Sequence, residues 1–378
     1  MSRATKVWVT GLSLSSALGS DVDAVWRALL DHTSGIAPLD CTLPLRGYGA
    51  AVLPDVPQTL PVHERQIALT ASAIAQALAH AGLEVSDPRI VPILGTSYGG
   101  HLDAPSVGSL SDWAVAAVRR VGCIRSPVTI ATACSAGADA IAAGLSLLRS
   151  GVAEICVCGG ADVLTLAKRL GHSRLGTLAS GDLRAFDQDR DGTVLGEGAA
   201  FLVLETAHSA RARGVAPLGV FSGAGASSDA ASAVAPDVSG RNVVLAVQRA
   251  VENAGIALSD VSVINAHASG TAINDATEAN AYGQLFGSLA EKPAVFATKG
   301  NFGHTLGATG ALEAVAVLQA LSKGCVPPIY RLERPLADLH LPLPIQRSIS
   351  IRPGAGISTT LGFGGFNTCL VFEGVEAA

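Results

Sequence analysis

A cysteine and two histidines stand at positions in the sequence where their side chains are suited to chemistry. Cys134 follows the apolar run 128–132 and precedes a stretch rich in Ala and Gly. A strand that turns into a helix at this point exposes one side chain above the sheet, and the free N–H groups of the helix N-terminus favour a thiolate. The small flanking residues leave room for a substrate. Cys134 is therefore a candidate acylatable nucleophile.

The two histidines share a common context. His267 directly follows the apolar run Val261–Ile264, and His304 follows the run 294–298, each among Gly, Ser and Thr residues. If both converge on Cys134, their Nε2–H groups can donate to a thioester oxygen or to an enolate as negative charge develops. One of them could also help to activate the thiol.

Lys299 and Glu278 form a further candidate pair. Glu278 lies three residues after Asp275 on the helix predicted after His267, and Lys299 precedes His304. The sequence alone leaves two interpretations open. The pair is either an exposed ion pair or a buried one that fixes the loops around both histidines.

The glycine-rich run 361–367 does not fit the phosphate-binding patterns GxxxxGK[ST] or GxGxxG. A turn of the type Gly-Phe-Gly-Gly can instead place a main-chain N–H where an oxyanion forms, with Phe363 lining the site. No GxSxG elbow is present, so the sequence gives no sign of a Ser-His-Asp arrangement.

The elements that must position these residues are β-branched runs alternating with Ala-rich stretches of helical period. This alternation predicts an α/β protein with a largely parallel sheet. Strands are predicted at 6–10, 91–95, 128–132, 154–159, 200–205, 217–222, 261–265, 294–298, 357–361 and 369–373. Helices are predicted at 21–31, 67–82, 135–149, 241–254, 275–285 and 306–323.

Two segments of the chain resemble each other. The run Val128–Cys134 leads into an Ala- and Gly-rich helix that ends at Leu148–Gly151, and the run Ala294–His304 leads into another that ends at Leu321–Gly324. Both segments place Ala-Thr at the end of a strand and a polar reactive residue before the helix. We therefore expect a duplication, with the halves meeting near Arg211–Gly214 and both helix N-termini at one shared site.

Composition excludes several classes of protein. The chain has 378 residues, 49% of them hydrophobic and 15% charged, with a formal net charge of −5. It is too apolar to be disordered and has no basic run to favour nucleic acid. No stretch approaches the roughly 18 apolar residues of a membrane span. Seven scattered cysteines predict reduced thiols in a cytoplasmic protein, and none has partners at the spacing of a metal site.

At this point the chain resembles a known family, the β-ketoacyl-[acyl carrier protein] synthases of the Cys-His-His type. These are the elongating condensing enzymes of fatty-acid and polyketide synthesis. Six motifs carry the resemblance, in the family's order and over nearly the whole chain. They are Val9–Ile36, Thr132–Cys134, Arg184–Gly198, His267–Glu278, Lys299–His304 and Gly362–Asn367.

The resemblance implies a fold and an activity. The fold is thiolase-like, with two duplicated βα halves in a layered αβαβα arrangement. We expect residues 1–214 to carry the nucleophile Cys134 and residues 215–378 to carry His267 and His304. The implied activity is decarboxylative Claisen condensation of a Cys-bound acyl group with malonyl-[acyl carrier protein], in a type II polyketide or fatty-acid-like specialised pathway.

The resemblance also implies roles for the reactive residues. Cys134 would accept the acyl group as a thioester. His267 and His304 would hold the carbonyl of malonyl carrier protein, promote its decarboxylation and stabilise the enolate. Lys299 with Glu278 would organise the two histidines.

Residues around these would bind the substrate. The backbone N–H groups of Cys134 and Phe363 would form the oxyanion hole, and Phe363 would gate the acyl pocket, with Gly364 beside it in the same turn. Ser269 and Thr271 would hydrogen-bond the phosphopantetheine arm of the carrier protein. No cofactor bound by this chain itself is implied.

The chain departs from the family pattern at several positions. Ala268 stands where a Gly usually follows the first histidine, Leu361 replaces a Phe, and Thr193 replaces an aromatic residue. The segment 101–133 is shorter than in typical members, and the segment around 63–65 is short and less basic than the usual carrier-protein docking patch. These departures bear on acyl specificity and docking.

Alternative functions remain open. An acyltransferase would load Cys134 without condensing, although it would not need two histidines. A chain-length-controlling subunit would generally lack the nucleophile, whereas the catalytic member of such a heterodimer fits. A biosynthetic thiolase is disfavoured, because Cys369 lies in an apolar strand. We expect an acyl carrier protein as partner, and a homodimer or heterodimer that pairs strand 128–132 across a two-fold axis.

Overall fold

The computed structural model describes residues 5–98, 103 and 108–375. Its strands are Val7–Ser15 (β1), Ala37–Pro38 (β2), Gly49–Ala51 (β3), Ile90–Gly95 (β4), Val128–Ile130 (β5), Ile155–Asp162 (β6), Leu195–Gly196 (β7), Gly198–Thr206 (β8), Gly219–Ser228 (β9), Val261–Asn265 (β10), Ala294–Phe296 (β11), Cys325–Val326 (β12), Ile349–Ser350 (β13), Ala355–Gly362 (β14) and Phe366–Glu373 (β15). The described helices are Val22–Leu30, Val62–His80, Asp112–Val121, Ala136–Arg149, Leu166–Arg174, Ala207–Ala212, Arg241–Ala254, Ala272–Phe286, Lys299–Phe302 and Thr309–Lys323.

Ten of these strands form one sheet in the order β11-β10-β14-β15-β9-β1-β8-β6-β4-β5. From the centre outwards, one side contains β1, β8, β6, β4 and β5, and the other contains β9, β15, β14, β10 and β11. When the five strands of each side are numbered in chain order, both sides have the order first, fifth, fourth, second and third. The pairings match as well. On each side the two strand pairings nearest the centre are antiparallel, and the two nearest the edge are parallel. The two sides therefore share one topology, and the division at residues 214 and 215 stays a prediction. The prediction of a largely parallel sheet was wrong, because half of the pairings on each side are antiparallel.

The helices form three layers around the sheet. Helices 136–149 and 309–323 contact each other and strands from both sides, so they form the middle layer. Helix 62–80 covers β1, β6 and β8 from outside, and helix 241–254 covers β9 and β15. Small residues let the two central helices approach closely between the strands of the two sides of the sheet. The layered αβαβα arrangement of the thiolase-like fold is confirmed.

Every strand predicted from the sequence is present, although several bounds differ. The helix predicted to begin at 67 begins at Val62. Four described helices were not predicted: 112–121, 166–174, 207–212 and 299–302. Helix 166–174 has a polar sequence with no apolar stripe, so periodicity does not reveal it. Its one local signal is Thr165, which caps it by accepting the N–H of Lys168 at 3.0 Å. Part of the segment 101–133 lies outside the described residues.

None of the helices in the described ranges combines the length and apolar character needed to cross a membrane. Within the same ranges, no three His, Cys, Asp or Glu side chains are grouped so that they could hold a metal ion.

Three glycines bring the central layer together beneath Cys134. Gly137 begins the first central helix, Gly160 lies on β6, and Gly307 precedes the second central helix. A Cβ at Gly160 would lie 2.5 Å from the carbonyl oxygen of Gly307 and 3.0 Å from the Cα of Gly137. Because both neighbours are backbone atoms, neither can yield without moving a helix.

Substitution of Gly160 by alanine is therefore expected to destabilise the fold. We expect Gly160→Ala to lower the free energy of unfolding by about 1–3 kcal/mol, as overpacking does in a close-packed core. The matched control is Gly171→Ala at an exposed position of helix 166–174, where a Cβ meets nothing within 4 Å. The control should gain up to about 1 kcal/mol from helix propensity. Urea unfolding measures both, and equal midpoints for the two variants would contradict the packing argument.

Candidate active site

Cys134 lies in a strained turn between β5 and the first central helix. The turn Ala133–Ser135 is a single 3₁₀ turn, and Ala133 has φ +52° in the left-handed region. A second such turn, Leu306–Ala308, begins the other central helix, and Leu306 also has φ +52°. The two helix N-termini thus have matching geometry. The residue that corresponds to Cys134 in the second half is Gly307, whereas His304 lies just before the turn.

The Cys134 thiol is buried, with 5% of the residue exposed. Burial raises the pKa of the thiol to about 11, while the charge of Lys299 and the nearby backbone N–H of Phe363 act to lower it. The burial outweighs both. The thiol is therefore protonated at neutral pH, so the thiolate expected at a helix N-terminus is not the resting form.

The imidazole rings of His267 and His304 meet edge to face, with centroids 5.1 Å apart and an interplanar angle of 85°. The Nδ1 atom of His267 lies 3.2 Å from the Nζ atom of Lys299. An ammonium can only donate, so this Nδ1 accepts. The Nδ1 atom of His304 accepts the backbone N–H of Leu306 at 3.3 Å. Both neutral rings therefore carry their proton on Nε2.

Both imidazoles are held in the neutral form. Burial lowers the pKa of His267 and of His304 well below 6.5, and the charge of Lys299 lowers both further. Two neutral Nε2–H groups are hydrogen-bond donors with no free lone pair at Nε2. This arrangement suits stabilisation of negative charge, and it does not suit the role of general base that the sequence left open for one of them.

Lys299 is fully buried, and its ion-pair partner is Glu313 rather than Glu278. Its ammonium also donates to the carbonyl oxygen of His267. Burial raises the pKa of the Glu313 carboxyl, against the effect of Lys299. Sequence analysis missed Glu313, although an acidic residue inside the apolar helix 309–323 is a detectable signal.

Glu278 organises the first-histidine loop through its backbone. Its carboxylate accepts the N–H of His267 at 2.8 Å and that of Ala268 at 2.6 Å, and it also accepts the hydroxyl of Tyr282 at 2.7 Å. Ala268 has φ +41°, a conformation that favours glycine, and these bonds hold it there. Glu278 is thus buried and positions the loop without touching Lys299 directly.

The C-terminal turn reaches the nucleophile from β14. A Cβ at Gly362 would lie 3.4 Å from the backbone nitrogen of Cys134, so the two chains are in close approach. The backbone N–H of Phe363 lies close enough to the thiol to lower its pKa. With the close approach at Gly362, this makes the backbone N–H groups of Cys134 and Phe363 neighbours, as an oxyanion hole requires. Gly364 turns away from the cavity, and its N–H donates to the carbonyl oxygen of Ala233 at 2.8 Å.

A cavity of about 560 Å³ joins the predicted residues. Cys134, His267, His304, Ser269, Thr271 and Phe363 all line it. The hydroxyls of Ser269 and Thr271 lie 2.9 Å apart on its wall. Lys299, Glu278 and Gly364 do not line it, so the first two act from behind the histidines. A thiol, two N–H donors and two backbone N–H groups in one cavity can carry out acyl transfer and stabilise an enolate.

The tautomers give a spectroscopic prediction. An ordinary imidazole is half charged near pH 6.5. In ¹⁵N-histidine NMR at that pH we expect His267 and His304 to be neutral, with an unprotonated Nδ1 and a protonated Nε2. Single variants that lack each histidine assign the signals among the nine in the chain. Imidazolium signals for either residue, or a proton on Nδ1, would contradict the geometry.

Comparison with known proteins gives consistent matches. Residues 4–210 match the family model "Beta-ketoacyl synthase, N-terminal domain", and residues 218–333 match "Beta-ketoacyl synthase, C-terminal domain". The chain is 32% identical to 3-oxoacyl-[acyl-carrier-protein] synthase 2 of Mycobacterium bovis, over 97% of this chain and 96% of that protein.

Solved structures match over the whole fold. The ishigamide ketosynthase/chain length factor superposes with a TM-score of 0.88 at 27% identity, covering 99% of this chain and 100% of the other. A type II polyketide ketosynthase solved with its acyl-carrier protein gives a TM-score of 0.89 with the same coverage of both chains. Its identity of 22% shows a shared fold alone.

Proposed function

Because the chain belongs to the β-ketoacyl synthase family, we propose that Cys134, His267 and His304 carry out its condensing reaction. The protein is a condensing enzyme of the acyltransferase class. The observation that carries the assignment of residues is their convergence in one cavity, with both histidines as neutral Nε2–H donors. Lys299, Glu278 and Glu313 are positioning residues.

The first step is transfer of an acyl group to Cys134. The sulfur attacks the thioester carbonyl of the acyl donor, and the N–H groups of Cys134 and Phe363 stabilise the resulting oxyanion. The carbon–sulfur bond to the pantetheine arm then breaks. Because the resting thiol is protonated, its proton leaves as the new bond forms and ends on the departing pantetheine thiol. No net proton is gained or lost.

The second step forms the carbon–carbon bond. The malonyl group loses carbon dioxide, and the electron pair of the broken bond becomes an enolate whose oxygen accepts from His267 and His304. Neutral donors stabilise the enolate without protonating its carbon. That carbon attacks the thioester on Cys134, the carbon–sulfur bond breaks, and the departing thiolate takes up one proton from solvent. The product is a β-ketoacyl thioester two carbons longer.

The substrates proposed are acyl and malonyl groups on the phosphopantetheine of an acyl carrier protein. The hydroxyls of Ser269 and Thr271 on the cavity wall are suited to that arm. The name of the Mycobacterium bovis relative, a 3-oxoacyl-[acyl-carrier-protein] synthase, supports this partner. A type II specialised pathway, in the cytoplasm, fits these relatives and the free cysteines of the described chain.

Variants of the two reactive residues test the mechanism by intact-protein mass spectrometry. Cys134→Ala should abolish self-acylation by acyl carrier-protein thioesters, whereas His304→Ala should still load but lose malonyl decarboxylation by about 10²-fold or more, as loss of an oxyanion donor does. Cys41→Ala and the exposed His208→Ala are matched controls outside the cavity. Normal decarboxylation by His304→Ala would refute the role of His304. An acyl adduct of the wild type that malonyl carrier protein does not discharge would indicate acyl transfer alone.

We also propose a dimer built on the sheet edge. Strand β5 ends the ten-stranded sheet, so it has no second neighbour within the described chain, and Val128 on it is 45% exposed. An open edge with apolar residues is suited to pairing with another chain. The similarity to the ishigamide ketosynthase/chain length factor keeps a heterodimer with a related subunit as the second form.

Light scattering tests the assembly. The wild type should have twice the 38.1 kDa chain mass, either alone or with a related subunit. Val128→Lys should shift it toward monomer, because a charge on an edge strand opposes pairing. Val152→Lys, at an exposed turn away from this edge, should leave the mass unchanged. A wild type that is monomeric both alone and in the presence of the related subunit would contradict the proposal.

A further inference from the structure

A carboxylate close to the nucleophile has no role in the proposed mechanism. Asp139 lies in the first turn of the first central helix, five residues after Cys134. Its Oδ2 atom accepts the hydroxyl of Thr132 at 2.5 Å and that of Ser135 at 2.7 Å, and its Oδ1 atom accepts the hydroxyl of Thr368 at 2.5 Å. A carboxylate has no proton to give, so all three hydroxyls donate to it. Asp139 therefore holds three side chains at once.

The three hydroxyls belong to two different segments of the site. Thr132 precedes and Ser135 ends the strained turn that carries Cys134. Thr368 lies on β15, two residues after the point where β14 and β15 begin to pair, and the turn before that point carries Phe363. The two backbone N–H groups of the proposed oxyanion hole come from these same two segments. The carboxylate therefore joins the parts of the chain that supply both donors.

The strength of these bonds makes the connection effective. Hydrogen bonds to a carboxylate are shorter than neutral ones and roughly twice as strong. The bond to Thr368 joins residues 229 positions apart, so it is a tertiary contact between the helix and the hairpin. Donors stabilise an oxyanion only when they point at it, and a displacement of about 1 Å can slow a reaction about 10²-fold. A contact that fixes the two donors relative to each other therefore bears on the rate.

The second central helix shows that the fold does not require such a carboxylate. This helix begins with a turn of the same geometry, in which Gly307 takes the place of the nucleophile. Five residues after Gly307, at the position equivalent to Asp139, stands the buried Leu312. The hydroxyl of Thr305, equivalent to Thr132, has no hydrogen-bond partner among the described residues. The carboxylate therefore accompanies the nucleophile and not the turn.

We propose that Asp139 is a positioning residue that fixes the two backbone donors of the oxyanion hole relative to each other. This inference deepens the proposed condensing function and rests on it. Acyl transfer to Cys134 develops its negative charge in the oxyanion hole, so it depends on that alignment. Decarboxylation develops its charge beside His267 and His304, so it does not. A role in stability alone would make no such distinction between the two half-reactions.

Rates of the two half-reactions test the proposal. Asp139→Ala removes all three hydrogen bonds, and Thr368→Val removes only the one to the hairpin at nearly constant shape. Each should lower kcat for acyl transfer to Cys134 about tenfold or more, as loss of a hydrogen bond to a charged group does, without changing KM or malonyl decarboxylation. Thr368→Ser keeps a hydroxyl and should restore the rate. The matched control Ser222→Ala removes a hydroxyl bond to Glu373 at the other end of β15 and should change neither half-reaction.

The infrared spectrum of the acyl-enzyme gives a second readout. Hydrogen bonds in an oxyanion hole polarise the thioester carbonyl and lower its stretching frequency. With a ¹³C-labelled acyl group on Cys134, isotope-edited difference spectra isolate that band. We expect the frequency to rise in Asp139→Ala and in Thr368→Val, and to keep the wild-type value in Thr368→Ser and in Ser222→Ala.

The failures of the two proposals are distinguishable. Normal acyl transfer and an unchanged carbonyl frequency in Asp139→Ala and Thr368→Val would overturn the positioning role and leave the condensing assignment intact. Parallel losses of acyl transfer and decarboxylation, or an equal effect of Ser222→Ala, would overturn it as well, because they would reflect a general loss of structure. A wild type that is not acylated on Cys134 would overturn the role of that residue and this inference together.

Discussion

The buried ammonium of Lys299 is the constraint on which the rest of the site depends. It pairs with Glu313 on the second central helix and donates to the loop that carries His267. An unpaired charge in a protein interior costs several kcal/mol, so helix and loop must keep their relative positions. The same charge orients His267 through its Nδ1. It adds to the effect of burial in lowering the pKa values of His267 and His304, and it opposes the effect of burial on the pKa of Cys134. One cation thus contributes to both the geometry and the electrostatics of the cavity.

The sequence identified the residues that line the cavity and two of the residues behind them, Lys299 and Glu278, but not how those two are paired. Cys134, His267 and His304 were detectable because each follows an apolar strand and has small neighbours, a local pattern. Glu313 was missed because its pairing with Lys299 depends on how a helix packs against a loop, which periodicity does not encode. Glu278 was correctly placed near the histidines, but its contacts are with backbone N–H groups rather than with Lys299. The assignment of catalytic roles stays a prediction.

The strained backbone turns could not be predicted from the sequence either. Ala133, Ala268 and Leu306 all have positive φ angles although none is glycine, so local residue preferences do not predict them. Each left-handed residue costs roughly 1–2 kcal/mol and persists only where surrounding contacts fix it. Glu278 fixes one of them. Next to Leu306, the carboxylate of Asp162 on β6 accepts the N–H of Gly307 at 2.7 Å. This bond holds the N-terminus of the second central helix against β6. Tertiary contacts therefore decide these turns.

The position of the final hairpin has a consequence for synthesis on the ribosome. Strand β15 is the last to be made, yet it lies near the middle of the sheet between β9 and β14, and the turn that precedes it carries the N–H of Phe363. A nascent chain that already contains Cys134 and both histidines therefore still lacks one wall of the cavity and part of its central sheet. Because the cavity is incomplete without β15 and the turn before it, such a partial chain lacks the second backbone donor that acyl transfer to its thiol needs.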